Sequence, residues 1–125
     1  MLGEDHDLYR EEFPLILADL RHAADGTVIE GAALLPELLA ALGVPPDHAV
    51  WIVPAPEFQL RHYQQRTWAH DLLAGTASPE EAFTRWMQRD ALFAQRVAAQ
   101  ATDLGYRVIV TDGSAGATQL AAGLV

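Results

Sequence analysis

Arg61, His62, Arg66 and His70 are the residues of this 125-residue chain whose types and spacing best suit chemistry. Steps of four would put His62, Arg66 and His70 on one face of a helix, with Arg61 beside them. Arg85 and Arg89 recur four apart further on, with Arg96 on the same side. Guanidinium forks donate paired hydrogen bonds to phosphate oxygens, so two helices presenting them toward one cleft would suit a polyphosphate. The same arginines could instead be solvated and paired with Glu57, Glu81 or Asp90, the usual fate of surface charge. A second signal is the stretch TVIEGAALLP, residues 27–36, where a β-branched run meets Glu30 and Gly31 and opens into an apolar helix. In parallel α/β sheets ligands sit at such junctions, although a plain strand end with a turn glycine is the simpler local reading.

Other chemical candidates are weaker. Asp90 falls among apolar helix positions and reads as half of a structural ion pair with Arg89. Trp51, Trp68 and Trp86 lie in apolar context and read as packing residues rather than a base-stacking platform. Glu4-Asp5-His6-Asp7 is dense in metal-ligating atoms but stands at the chain terminus, and no metal is expected. Ser114 has no G-x-S-x-G elbow around it.

The elements that must position these residues follow from periodicity and punctuation. Residues 7–22 have mostly helical apolar spacing, with Pro14 set to start a turn or kink. Asp25-Gly26 marks a turn, 27–30 a short strand, and 34–42 a helix closed by Gly43 and Pro45-Pro46. Residues 49–53 form a near-continuous apolar run, the pattern of a strand buried on both faces inside a parallel sheet. Residues 56–73 read as one helix with proline in its first turn. Ser78-Pro79-Glu80-Glu81 reads as N-cap, N1 proline and capping box of a helix running to about residue 104. A third strand at 106–111, a turn at 112–114 and a short helix at 117–124 complete the chain. Strands separated by helices place it in the α/β class with a parallel sheet, as a single domain over residues 1–125.

Composition narrows the function classes. Seventeen acids against eight bases, net −9, repel a polyanion over most of the surface and argue against general nucleic-acid binding. All eight bases are arginine; with no lysine, Schiff-base and phosphate-loop-lysine chemistry is closed to these residues. With no cysteine, disulfides, thiolate zinc sites and thiol nucleophiles are closed too. Neither a basic-then-apolar leader nor a membrane-length apolar run is present, and a soluble cytoplasmic protein is the expectation.

The segments YREEFP from Tyr9, VIEGAALLP from Val28, WIVPAPEFQLRHYQQR from Trp51, FTRWMQRDALFAQRV from Phe83 and VIVTDGS from Val108 together resemble a known family. In their order and spacing they look like the C-terminal part of a P-loop kinase of the nucleoside and nucleoside-monophosphate kinase type, over nearly the whole chain. The resemblance implies a partial three-layer fold: a mostly parallel three-stranded sheet flanked by helices, with the family's central first strand missing. It implies ATP and Mg2+ as cofactors and a small-molecule phosphate acceptor. By the same resemblance Glu30 would lie near the phosphates, through water and metal or as a base, and Gly31 would let backbone and ligand approach. Arg61 and Arg66 would belong to the lid that neutralises the transferred phosphoryl group, with Arg85 and Arg89 less directly on the substrate side. Gly113 and Ser114 would lie in the loop lining the adenine. The family's GxxxxGK[ST] loop has no match here. The chain is therefore expected to be the lid and base portion of an ATP-dependent small-molecule kinase-like protein, inactive alone. The alternatives are a non-catalytic protein-interaction module or one half of a split enzyme, with unmatched strand edges open to a protein partner or a second copy.

Overall fold

A computed structural model describes residues 2–124, with side chains described from residue 7 onward. Helix α1 (Leu2–Leu20) is followed by α2 (Pro36–Ala41), a 3-10 turn at Pro46–His48, and strand β1 (Val50–Pro54). Helices α3 (Pro56–Gln64), α4 (Thr67–Leu73) and α5 (Pro79–Asp103) lead to β2 (Arg107–Thr111) and α6 (Ala117–Ala122). The class is mixed α/β: β1 and β2 pair in parallel, from Val50 opposite Arg107 to Pro54 opposite Thr111.

The helix ends follow local chemistry. Pro36 and Pro79 occupy first-turn positions, where a missing N–H costs nothing. Gly43 and Gly105, at φ +77° and +83°, close α2 and α5 in Schellman turns. The amides of Val44 and Tyr106 reach back to the carbonyls of Leu39 and Ala101 at 3.1 and 2.8 Å. The long α5 is the organising element, packed against α1, α2, α3, α4 and both strands. It buries Met87, Val97 and Ala101, and the core is completed by Phe13, Leu35, Leu39, Val53, Ala69 and Tyr106. Trp51 packs on Tyr106 at 4.9 Å and donates its indole N–H to Leu34 O, while Tyr106 donates its hydroxyl to Val44 O at 2.7 Å. These bonds pin the strand region to both flanks of α2. Arg10 grips Glu37 with two nitrogens and so ties α1 to α2.

Four sequence expectations are corrected. Among the described residues the sheet has two strands, not three: residues 27–30 are irregular and exposed, with Val28 94% accessible. A β-branched run becomes a strand only against a neighbour. Here the Thr27 amide and hydroxyl are both taken by Ala24 O in the Gly26 turn. Consequently β1 has a single neighbour and is not buried on both faces, leaving Ile52 47% exposed. The helix expected over 56–73 breaks at Gln65–Arg66, where Arg66 turns to an extended conformation. The cause is aromatic packing: positions 63 and 68 lie about 140° apart on a continuous helix, yet Tyr63 and Trp68 meet at 5.7 Å and both pack on Trp86. Finally, α5 starts at Pro79 as expected, but Ser78 makes no side-chain cap bond; Glu81 is drawn to Arg85.

Candidate functional site

The C-terminal ends of two parallel strands open onto the same side of the sheet, and the loops that follow them meet there. After β1 the chain enters α3 at Pro56; the amide of Ala55 donates to Thr111 O at 2.8 Å, so the two strand ends are joined at their tips. After β2 comes Asp112-Gly113-Ser114. The Ser114 amide donates to Asp112 Oδ1 at 2.9 Å, forming an Asx turn. Gly113 sits at φ +86° against Phe58, where a Cβ would stand 2.7 Å from the ring. Only glycine lets the turn lie this close to α3.

Between turn and helix is a hollow of about 170 Å³ lined by Phe58, Arg61, His62, Gln65, Asp112 and Gly113. The hydrogen bonds from the Ser114 side chain and then its amide hold the Asp112 carboxyl below the usual carboxylate range, with a smaller attraction from Arg61. The His62 ring lies over Phe58 at 5.4 Å and 32°. Arg66 stands beside it, its Nη2 2.6 Å from His62 Nε2, with the guanidinium over the faces of Tyr63 and Trp68 at 5.6 and 5.8 Å. A guanidinium, an imidazole, a fixed carboxylate and an aromatic floor thus share one open hollow. That set can hold an anion and orient a polar ring; it contains no primed nucleophile.

Of the residues singled out in the sequence, Arg61, His62 and Gly113 line this hollow, while Arg66 and Ser114 bond to residues that line it. Glu30 and Gly31 do not line it and lie in exposed, irregular chain, so the strand end meant to carry them does not form. Arg85 and Arg89 are elsewhere. Arg85 lines a shallow depression along α5 with Glu80, Glu81, Thr84 and Gln88, paired with Glu81 at 3.5 Å. Arg89 pairs with Asp90 at 3.5 Å, and Asp90 accepts from the buried Gln59 at 3.3 Å, which makes Asp90 a structural group joining α5 to α3. His70 leaves the expected helix face: its Nε2 meets Gln64 O at 2.8 Å and its ring stacks on Phe83. Glu4, Asp5 and His6 fall outside the residues whose side chains are described, and among the described residues no group of three metal-ligating side chains gathers. No helix among them is long and apolar enough to cross a membrane.

Phe58, Gln65 and Asp112 were not among the expected site residues. Asp112 had a readable signal, an Asp-Gly-Ser turn directly after a strand. Phe58 had a positional one, the first helical turn after a strand. Gln65 had none, because its place depends on the break between α3 and α4. No protein-family model, no curated protein and no solved structure matches this chain.

Proposed function

We propose that this chain is the lid and base portion of a P-loop kinase-like protein, binding the phosphate-bearing part of an adenine nucleotide without transferring phosphate by itself. The observation that carries the reading is the convergence of Arg61 and Gly113, far apart in sequence, on one hollow at the ends of parallel strands. In this reading Arg61 pairs with phosphate oxygens, Arg66 adds a second cation nearby, and the Gly113-Ser114 backbone lines the ligand. The hollow's 170 Å³ lies below the roughly 300 Å³ at which pockets begin to enclose whole ligands, so it takes one part of a nucleotide. No Gly-rich loop or lysine stands in this chain to hold β- and γ-phosphates, which is why transfer to a small-molecule acceptor is not assigned to it.

Titration calorimetry with ADP and ATP at low salt tests this. Saturable binding with Kd of about 0.1–1 mM, weakened at least tenfold in Arg61→Ala, is the expected result. Absence of binding up to several millimolar would overturn the nucleotide reading.

The second reading, a half completed by another chain or a second copy, is favoured by the two-stranded sheet with Ile52 and Val110 exposed at 47% and 63%. Parallel sheets are ordinarily covered on both faces. Sedimentation of the purified chain as a monomer over a wide concentration range would remove the homodimer from that reading.

A further inference from the structure

We infer that His62 is a proton-coupled binding group of the anion site, its imidazolium engaging the anion beside Arg61 while its neutral ring ties up Arg66. The inference rests on the anion-binding reading above and adds a regulation to it. A guanidinium can only donate hydrogen bonds. Arg66 Nη2 lies 2.6 Å from His62 Nε2, and a hydrogen bond there requires that ring nitrogen to accept, with the ring proton on Nδ1. The same ring lines the hollow together with Arg61.

Protonating Nε2 would set donor against donor and add a positive charge facing Arg66. The Arg66–His62 bond then opens, and Nε2–H and Arg66 Nη2 both become available to an anion. Arg66 has somewhere to remain, over the Tyr63 and Trp68 rings. The charged groups around His62 are Arg61 on α3, Arg66 at the α3–α4 break, and Asp112 in the loop after β2; Phe58 and Gln65, the other neighbours in the hollow, are uncharged. Asp112 keeps its negative charge while Ser114 holds it, so it also attracts the imidazolium and opposes an entering anion, and the proton coupling is the excess that the anion adds over Asp112. An anion entering the hollow therefore favours proton uptake at His62, and by linkage protons favour the anion. Imidazole is the side chain that changes charge between about pH 5 and 8, which sets the range to examine.

The test is ADP titration of the wild-type chain, His62→Gln and His62→Arg at pH 7.5 and 5.5, with far-UV circular dichroism verifying that each variant is folded. Comparison with His62→Gln cancels the titration of ADP itself. We expect wild-type affinity to rise about fivefold more than that of His62→Gln on acidification, the size expected for one added charge at close range in partial solvent. At pH 5.5 His62→Arg should bind ADP about as tightly as wild type, and between pH 7.5 and 5.5 its affinity should change as that of His62→Gln does. Calorimetry at pH 6.5 in buffers of different ionisation enthalpy should show more proton uptake for wild type than for His62→Gln. Equal pH dependence and equal proton uptake in wild type and His62→Gln would overturn the inference while leaving the anion site standing. Failure of wild type to bind ADP at either pH would instead remove the anion site, and the inference with it.

Discussion

Arg61 and Arg85 occupy matching local settings, each with a glutamate four residues earlier on its helix, and the structure uses them differently. Arg85 closes on Glu81 at 3.5 Å on the exposed face of α5, the ordinary solvated pair. Arg61 makes no ion pair with Glu57 among the described residues; it lines the hollow at the strand ends and acts on Asp112 across it. What differs is the loop opposite. A fixed Asx turn, packed on Phe58, faces Arg61, while Arg85 lies along a single helix with only its own neighbours. An arginine lines a hollow where a second element supplies a wall.

Removing that wall should have the largest effect. Gly113→Ala forces a side chain into a positive-φ position and against the Phe58 ring. It should cost about 2 kcal/mol in urea unfolding, through strain in the left-handed region and overpacking. If Gly113→Ala were neutral, the turn would not be the rigid partner that sets Arg61 apart. Next, Arg61→Ala should weaken ADP binding at least tenfold, about 1.4 kcal/mol, while Arg85→Ala changes it less than twofold; equal losses would erase the distinction.

A smaller effect is expected at Ser114. Ser114→Ala removes the hydroxyl that holds the Asp112 carboxyl down, so its NMR titration midpoint should rise toward the ordinary carboxylate value. The sign follows from linkage. In the wild type the depressed carboxyl contributes stability above its unfolded pKa, lost as pH falls through the lower folded value; in Ser114→Ala the contribution should be smaller and its loss complete at a higher pH, with the onset unchanged because the unfolded pKa sets it. The smallest effect is Arg85→Ala on stability, no more than about 0.5 kcal/mol by thermal unfolding, as for an exposed pair on one helix.

The parts of the fold legible in the sequence are those decided within a few residues. Pro36 and Pro79 start helices, Gly43 and Gly105 end them, and the apolar run around Trp51 gives a strand, because each outcome depends on the local backbone. Arg61 and Gly113, expected in the lid and in the loop after the last strand, both line the hollow at the strand ends, a position that follows from their places just after two parallel strands. Residues 27–30 have the β-branched composition that favours a strand but no neighbouring strand to pair with, and a neighbour is not a local property. The break at Gln65–Arg66 was invisible because neither residue is a helix breaker; ring packing among Tyr63, Trp68 and Trp86 makes it.

By itself, then, the amino-acid sequence determined the α/β class, most helix ends, and a cation set made only of arginine, all consequences of side-chain type and short-range backbone geometry. Only the tertiary structure decided which arginine faces a wall, that the helix breaks at Gln65–Arg66, and that among the described residues the sheet stops at two strands. Those outcomes are contacts between segments distant in sequence or turned by distant packing, and residue spacing along one element carries no information about what packs against it.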